Sequence, residues 1–194
     1  MQPESIRKDA EAKLETHKRF VTLKQQQIEQ PAQLSQAWFA KRRSITELMG
    51  LTGSKLSGLL FISTKDELDC YREEIWGRLF GHPRKKIWSP ESKLWINWGS
   101  TYEPVATLSF LDACPNMYIL EAPLMQSNCH NWAASSPDGF YVDTSCVDKT
   151  GKPEMGVVEI KCPGKSKKAN TKPTYYYIAQ VRRLHSLLHY TYFD

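Results

Sequence analysis

Asp138, Glu159 and Lys161 are the residues of this chain whose types and spacing suit a chemical task. Each has an ordinary explanation when taken alone. In Ser136-Pro137-Asp138-Gly139 the proline and glycine fit a tight turn, where an aspartate commonly bonds its own backbone. Glu159 and Lys161 lie two apart in the run Gly156 to Lys161, so in a strand they share one face while Val158 and Ile160 point to the other. The two features are joined by Tyr141 to Pro153, which can turn back at Lys149-Thr150-Gly151-Lys152 and bring the second strand alongside the first. Asp138 and Glu159 then converge. Paired carboxylates repel unless a cation lies between them, and hard oxygen donors suit Mg²⁺ or Mn²⁺. Such an ion lowers the pKa of a bound water and polarises a phosphodiester, while Lys161 orients the water or stabilises charge on the phosphate. The chemistry expected is phosphodiester hydrolysis.

Positioning those groups falls to helices before residue 118 and strands after it. Ala10, Leu14, Val21 and Ile28 recur at helical spacing among Lys, Glu and Gln, predicting an amphipathic N-terminal helix that Pro31 ends. Ser35 caps a second helix carrying Trp38 and Phe39 and then Lys41, Arg42 and Arg43. The turn Leu51-Thr52-Gly53-Ser54 opens a short helix whose N-terminal N–H groups suit a phosphate, although most such turns are only caps. Leu68, Tyr71, Ile75 and Leu79 predict a packing helix from Thr64 to Phe80, and Gly81 to Pro90 reads as a basic loop. Pro104 suits the first turn of a further helix, which puts Glu103 near a helix start. Tyr118–Leu120, Trp132–Ser135, Phe140–Val142 and Gly156–Lys161 read as strands of a β-meander. A basic stretch, Lys165 to Lys172, precedes an amphipathic helix over Tyr175 to Leu188.

The length of 194 residues makes one compact domain the default, here a helix over 1–30 followed by a domain over 31–194. With 41% hydrophobic and 24% charged residues, neither disorder nor a repeat array is indicated. The net charge of +5 weakly favours a polyanionic partner. Cys70, Cys114, Cys129, Cys146 and Cys162 are odd in number and form no C-x-x-C pair, so a reducing, intracellular home is expected, whether cytoplasm or nucleus. No stretch approaches the roughly 20 apolar residues of a membrane span, and no membrane partner is expected.

Pro137-Asp138 followed by Glu159-Ile160-Lys161 resembles the signature of the PD-(D/E)xK nucleases. Trp98-Gly99-Ser100-Thr101-Tyr102-Glu103-Pro104-Val105-Ala106 resembles the G-x-x-x-E-x-x-A helix of one group among them, the lambda exonuclease and YqaJ-type viral recombinase family, which includes alkaline exonucleases. Ser136-Pro137-Asp138-Gly139, Glu159-Ile160-Lys161-Cys162-Pro163 and Tyr177-Ile178-Ala179-Gln180-Val181 look like the later motifs of that family in the same order. The likeness runs from about Ser35 to Tyr192.

It implies an α/β (α+β) protein with a restriction-endonuclease-like core, a mixed central β-sheet flanked by helices. Asp138, Glu159 and the Ile160 carbonyl would ligate the metal, with Glu103 reaching it directly or through water. Gln180 and Tyr177 would point toward the scissile phosphate, although a helical tyrosine is more often packed core. Trp38, Arg42, Thr52 and Ser54 resemble a W-x-x-x-R element and turn that receive a terminal 5′-phosphate, with Ile45-Thr46-Glu47 a competing alignment for the turn. Family members usually continue past the position of Asp194, so the chain reads as a fragment or a divergent short form. His185 and His189 have ligand spacing but no third partner, and are read as surface or core histidines.

The function implied is 5′ to 3′ exonuclease action on the free ends of double-stranded DNA, in recombination or repair. The alternatives are an RNA- or structure-directed nuclease of the same fold, or a non-catalytic nucleic-acid-binding member. The resemblance further implies a homotrimer and a single-strand annealing partner.

Overall fold

A computed structural model describes residues 3–31, 33, 35–47, 51–52, 69–70, 72–74, 76–77, 80–82, 87–126, 133–147 and 149–164. The expected late helix and the basic stretch before it lie outside the described residues, as does much of the expected helix over 64–80. The chain forms two compact units, Met1–Glu29 with Ile87–Ala122 and Asp138–Ala169, and Gln30–Lys86 with Pro123–Pro137 and Asn170–Asp194.

The first unit holds helix α1 (Pro3–Thr16), strand β1 (Phe20–Val21), a long helix over Pro90–Ala113, and strands over Met117–Leu120, Gly139–Val147 and Pro153–Val158. Numbering in chain order makes that long helix α3 and those strands β3, β6 and β7. They form one sheet in the order β1-β3-β6-β7, parallel between β1 and β3 and antiparallel elsewhere. Leu14, Leu111 and Ile119 make the core beneath it, with Phe20, Leu108 and Phe110 packed against them.

The N-terminal helix stops well short of the expected residue 30. Thr16 turns its hydroxyl back on the Ala12 and Lys13 carbonyls, and the Arg19 N–H bonds His17 Nδ1. Phe20 and Val21, which favour strands, then pair with Ile119 and Leu120, while Arg19 Nη1 donates to the Cys114 carbonyl at 2.6 Å. Tertiary pairing thus overrides the weak helical period. Residues 3–29 fall in the same compact unit as the β6–β7 hairpin.

Helix α3 also begins earlier than its proline suggested. Ser89 caps it, accepting from the Ser92 N–H at 3.0 Å, Pro90 occupies the first turn and Glu91 adds an acidic group there. These signals place Pro104 inside the helix, so Glu103 is an interior residue. Lacking an N–H, Pro104 gives the Ser100 carbonyl no helical donor.

The second unit contains α2 (Gln36–Glu47), β2 (Leu51–Thr52), β4 (Met125–Gln126) and β5 (Ala133–Ser135). Its three strands are ordered β2-β5-β4, parallel then antiparallel. Ser35 caps α2 as expected, its hydroxyl accepting from the Trp38 N–H at 3.1 Å. Trp38, Leu124 and Ala134 form the core there.

Candidate active site

The β6–β7 hairpin brings the acidic residues together. After Asp143 the register shifts, Val147 pairs with Pro153, and Gly151 turns at φ +81° between them. At the other end Gly139 pairs with Val158, which makes Asp138 and Glu159 the next cross-strand neighbours. On its other side Gly139 lets β6 lie close on β3: a Cβ there would lie 2.9 Å from Ile119 Cγ2 and 3.0 Å from the Leu120 carbonyl oxygen. The strand expected through Lys161 ends at Val158. Beyond it, the Ile160 N–H donates to Asp138 Oδ2 at 2.5 Å, so a side-chain carboxylate takes over from the ladder.

Lys161 Nζ donates to Glu159 Oε1 and lies 3.9 Å from Asp138 Oδ2. The Glu159 and Asp138 side chains are only 5% and 14% exposed, against 38% for Lys161, so the carboxylates are the desolvated partners. Burial, reinforced by Glu103 and then Glu159, pushes the Asp138 carboxyl up to about 7 against the pull of Lys161 and the Ile160 N–H. Glu103 is raised too, chiefly by burial and further by Glu159, while Lys161 and Arg7 oppose the shift. Burial would depress the Lys161 ammonium, but Asp138, Glu159 and Glu103 together outweigh it and hold it above the usual lysine range. Cys162 is raised by burial and then by Glu103 and Asp138. The four predicted residues Glu103, Asp138, Glu159 and Lys161 therefore form one electrostatic cluster in the first unit.

Among the described residues, Lys161 and Arg7 act on three carboxylates, and burial first, then Glu103 and Glu159, raises the Asp138 carboxyl. Three carboxylates with the Ile160 carbonyl nearby are a hard oxygen set, so the donor chemistry fits a divalent cation of the Mg²⁺ or Mn²⁺ kind. Among the described residues, no three acidic, histidine or cysteine side chains already stand in metal-holding arrangement.

In the second unit Arg42 Cζ sits 4.9 Å over the Trp38 ring, and burial depresses its guanidinium. Thr52 lies in β2 opposite Ala134. The buried Trp38 Nε1 and Ser136 Oγ have no hydrogen-bond partner among the described residues. Ser54, Tyr177 and Gln180 lie outside the described residues.

Arg7 and Cys162 carry no role in the sequence reading, yet Arg7 opposes the rise of Glu103, and Glu103 and Asp138 add to the burial that raises the Cys162 thiol. Arg7 stands three and seven residues before Ala10 and Leu14, the buried residues of α1, and that spacing was the available signal. Cys162 stood in the motif Glu159 to Pro163 without a role.

A mixed sheet with helices and an acidic cluster at the end of a hairpin define a restriction-endonuclease-like fold, and solved structures share it. An alkaline exonuclease from Laribacter hongkongensis, LHK-Exo, is 24% identical with a TM-score of 0.54, over 81% of this chain and 69% of that one. A structure of LHK-Exo in complex with dAMP is 21% identical with a TM-score of 0.52, over 75% of this chain and 65% of that one. The chain thus spans about two thirds of the length of these structures. No curated protein sequence matches. The model of the YqaJ-like viral recombinase domain matches residues 37–186, and the chain belongs to that family.

Proposed function

We propose that the chain hydrolyses phosphodiester bonds of DNA with a divalent metal, as a 5′ to 3′ exonuclease acting on duplex ends. The observation that carries this reading is the excess of buried carboxylate around Lys161 at the end of the β6–β7 hairpin. Family membership and the likeness to an alkaline exonuclease support it, and a structure of that relative holds dAMP, a deoxynucleotide, which favours DNA over RNA.

Asp138, Glu159, the Ile160 carbonyl and Glu103 would hold Mg²⁺ or Mn²⁺. A bound ion supplies an acidified water and a polarised phosphodiester. Lys161, released from neutralising the carboxylates, orients the water or takes up charge developing on the phosphate. The Asp138 carboxylate also fixes the Ile160 backbone through its N–H, keeping that carbonyl in place. Gln180 and Tyr177 would approach the scissile phosphate, and Arg42, Thr52 and Ser54 would receive a terminal 5′-phosphate, which sets polarity. Work in recombination or repair as a homotrimer beside a single-strand annealing protein belongs to the same proposal.

The test is cleavage of linear against covalently closed duplex DNA with Mg²⁺. Linear DNA is expected to be degraded and circles spared. Equal attack on both would overturn the exonuclease reading, and metal-independent turnover would overturn the site.

A further inference from the structure

Beyond Lys161 the chain runs through Cys162 and Pro163 to Gly164, and the Gly164 backbone lies directly on two indole rings of α3. A Cβ at this position would overlap Trp95 Cε3, come within 2.6 Å of Trp95 Cζ3 and 3.0 Å of Trp98 Cδ1. Each ring has a further hold on α3. Trp95 Nε1 donates to Glu91 Oε1 at 3.3 Å, and the Trp98 ring packs on Tyr102 with centroids 4.3 Å apart. Trp95, Trp98 and Tyr102 share one helix with Glu103, whose carboxyl belongs to the acidic cluster.

We propose that Gly164 is a positioning residue: its contact with Trp95 and Trp98 sets where the segment bearing Glu159 and Lys161 lies relative to Glu103. The proposal rests on the hydrolytic reading of that cluster. The segment is held twice, at Ile160 by the Asp138 carboxylate and at Gly164 by the indoles. Lys161 lies between the two holds, and Pro163 stiffens the chain by fixing its φ. The first hold ties the segment to β6, and the second ties it to the helix carrying the third carboxylate. A side chain at 164 meets these rings first, and relieving the overlap by backbone movement lifts the segment from α3 and carries Lys161 with it.

Gly164→Ala is expected to keep its melting temperature within a few degrees and to lower kcat about tenfold or more, with KM changed less than about twofold, since placement rather than substrate affinity is lost. Adding Trp95→Leu, which removes the opposing ring, is expected to restore kcat to within about threefold of wild type. Independently of turnover, backbone amide resonances of Glu159 to Cys162 in the metal-free protein should move in Gly164→Ala and return toward their wild-type positions in the double variant. Amide changes confined to residues 163–165, or a double variant that melts like wild type and recovers nothing, would overturn the proposal. A wild-type chain without metal-dependent cleavage would instead sink the hydrolytic reading, and the amide measurement would still decide the contact.

Discussion

The hairpin end at Asp138 and the Trp38–Arg42 pair of α2 bury charge of opposite sign. At the first, three carboxylates exceed the cations Lys161 and Arg7 that act on them among the described residues, and burial raises the pKa of Asp138 and Glu103. At the second, a guanidinium is desolvated above a buried indole, and burial lowers its pKa. Burial disfavours both charges, and an added counter-charge would stabilise either beside the partners each already has, a cation in one unit and an anion in the other. A metal ion and a terminal phosphate are those counter-charges in the proposed reaction. One region is then expected to govern turnover and the other the choice of end.

The comparison breaks first at the acidic cluster and its lysine. Asp138→Ala, Glu159→Ala and Lys161→Ala are each expected to lower cleavage by about a thousandfold or more, as losses of transition-state groups do, with Asp138→Ala also weakening Mn²⁺ binding in a direct titration. Full activity in all three would remove the assignment.

A smaller effect should appear in stability. The Asp138 carboxyl is raised to about 7 in the folded chain against 3.8 in the unfolded one, so between these values the native state holds a proton that the unfolded state has released. Stability from this group is complete below pH 3.8 and is lost as pH rises through about 7, at up to about 1.4 kcal/mol per pH unit. Urea unfolding in EDTA should show the metal-free protein losing stability from pH 5 to pH 7, and Asp138→Asn should flatten that slope. Adding Mg²⁺ at pH 7 should restore stability and release a proton. A slope unchanged by Asp138→Asn would refute the electrostatic account.

The smallest effect sharpens the comparison at its basic side. Arg42→Ala should reduce the preference for 5′-phosphorylated over 5′-hydroxyl ends about tenfold while leaving Mn²⁺ affinity unchanged, since its charge lies outside the acidic cluster. An unchanged end preference would leave Arg42 as a packing residue over Trp38.

What the sequence made readable follows the range of the interactions. The turn between β6 and β7, and with it the convergence of Asp138 and Glu159, is local and was legible from Lys149 to Lys152 and the strand periods on either side. The cap of α2 at Ser35 was legible for the same reason. Glu103 is legible as an acidic candidate but its setting is not, because Pro104 looks like a helix start until the stronger signal at Ser89-Pro90 is set against it. The sequence overstates helix α1 because Val21 continues its apolar period, and only pairing with Leu120 shows that residue to be in a strand. The division into a four-stranded and a three-stranded sheet was not readable, since β2, β4 and β5 are two or three residues long and carry almost no period. Gly164 looked like any loop glycine, because its meaning depends on Trp95 and Trp98, far away in sequence.

Strand β1 has a consequence for how the molecule is made. Phe20 pairs with Ile119, so a chain growing from its N-terminus must add about a hundred residues before that edge of the sheet can close. Until then Phe20 and Val21 have no ladder, and α1 lacks α3, the helix it packs against. The hairpin carrying Asp138 and Glu159 has no such wait, because its two strands follow one another within a few tens of residues. During synthesis α1 and β1 thus wait longest for their partners, while the hairpin carrying Asp138 and Glu159 can close as soon as it emerges.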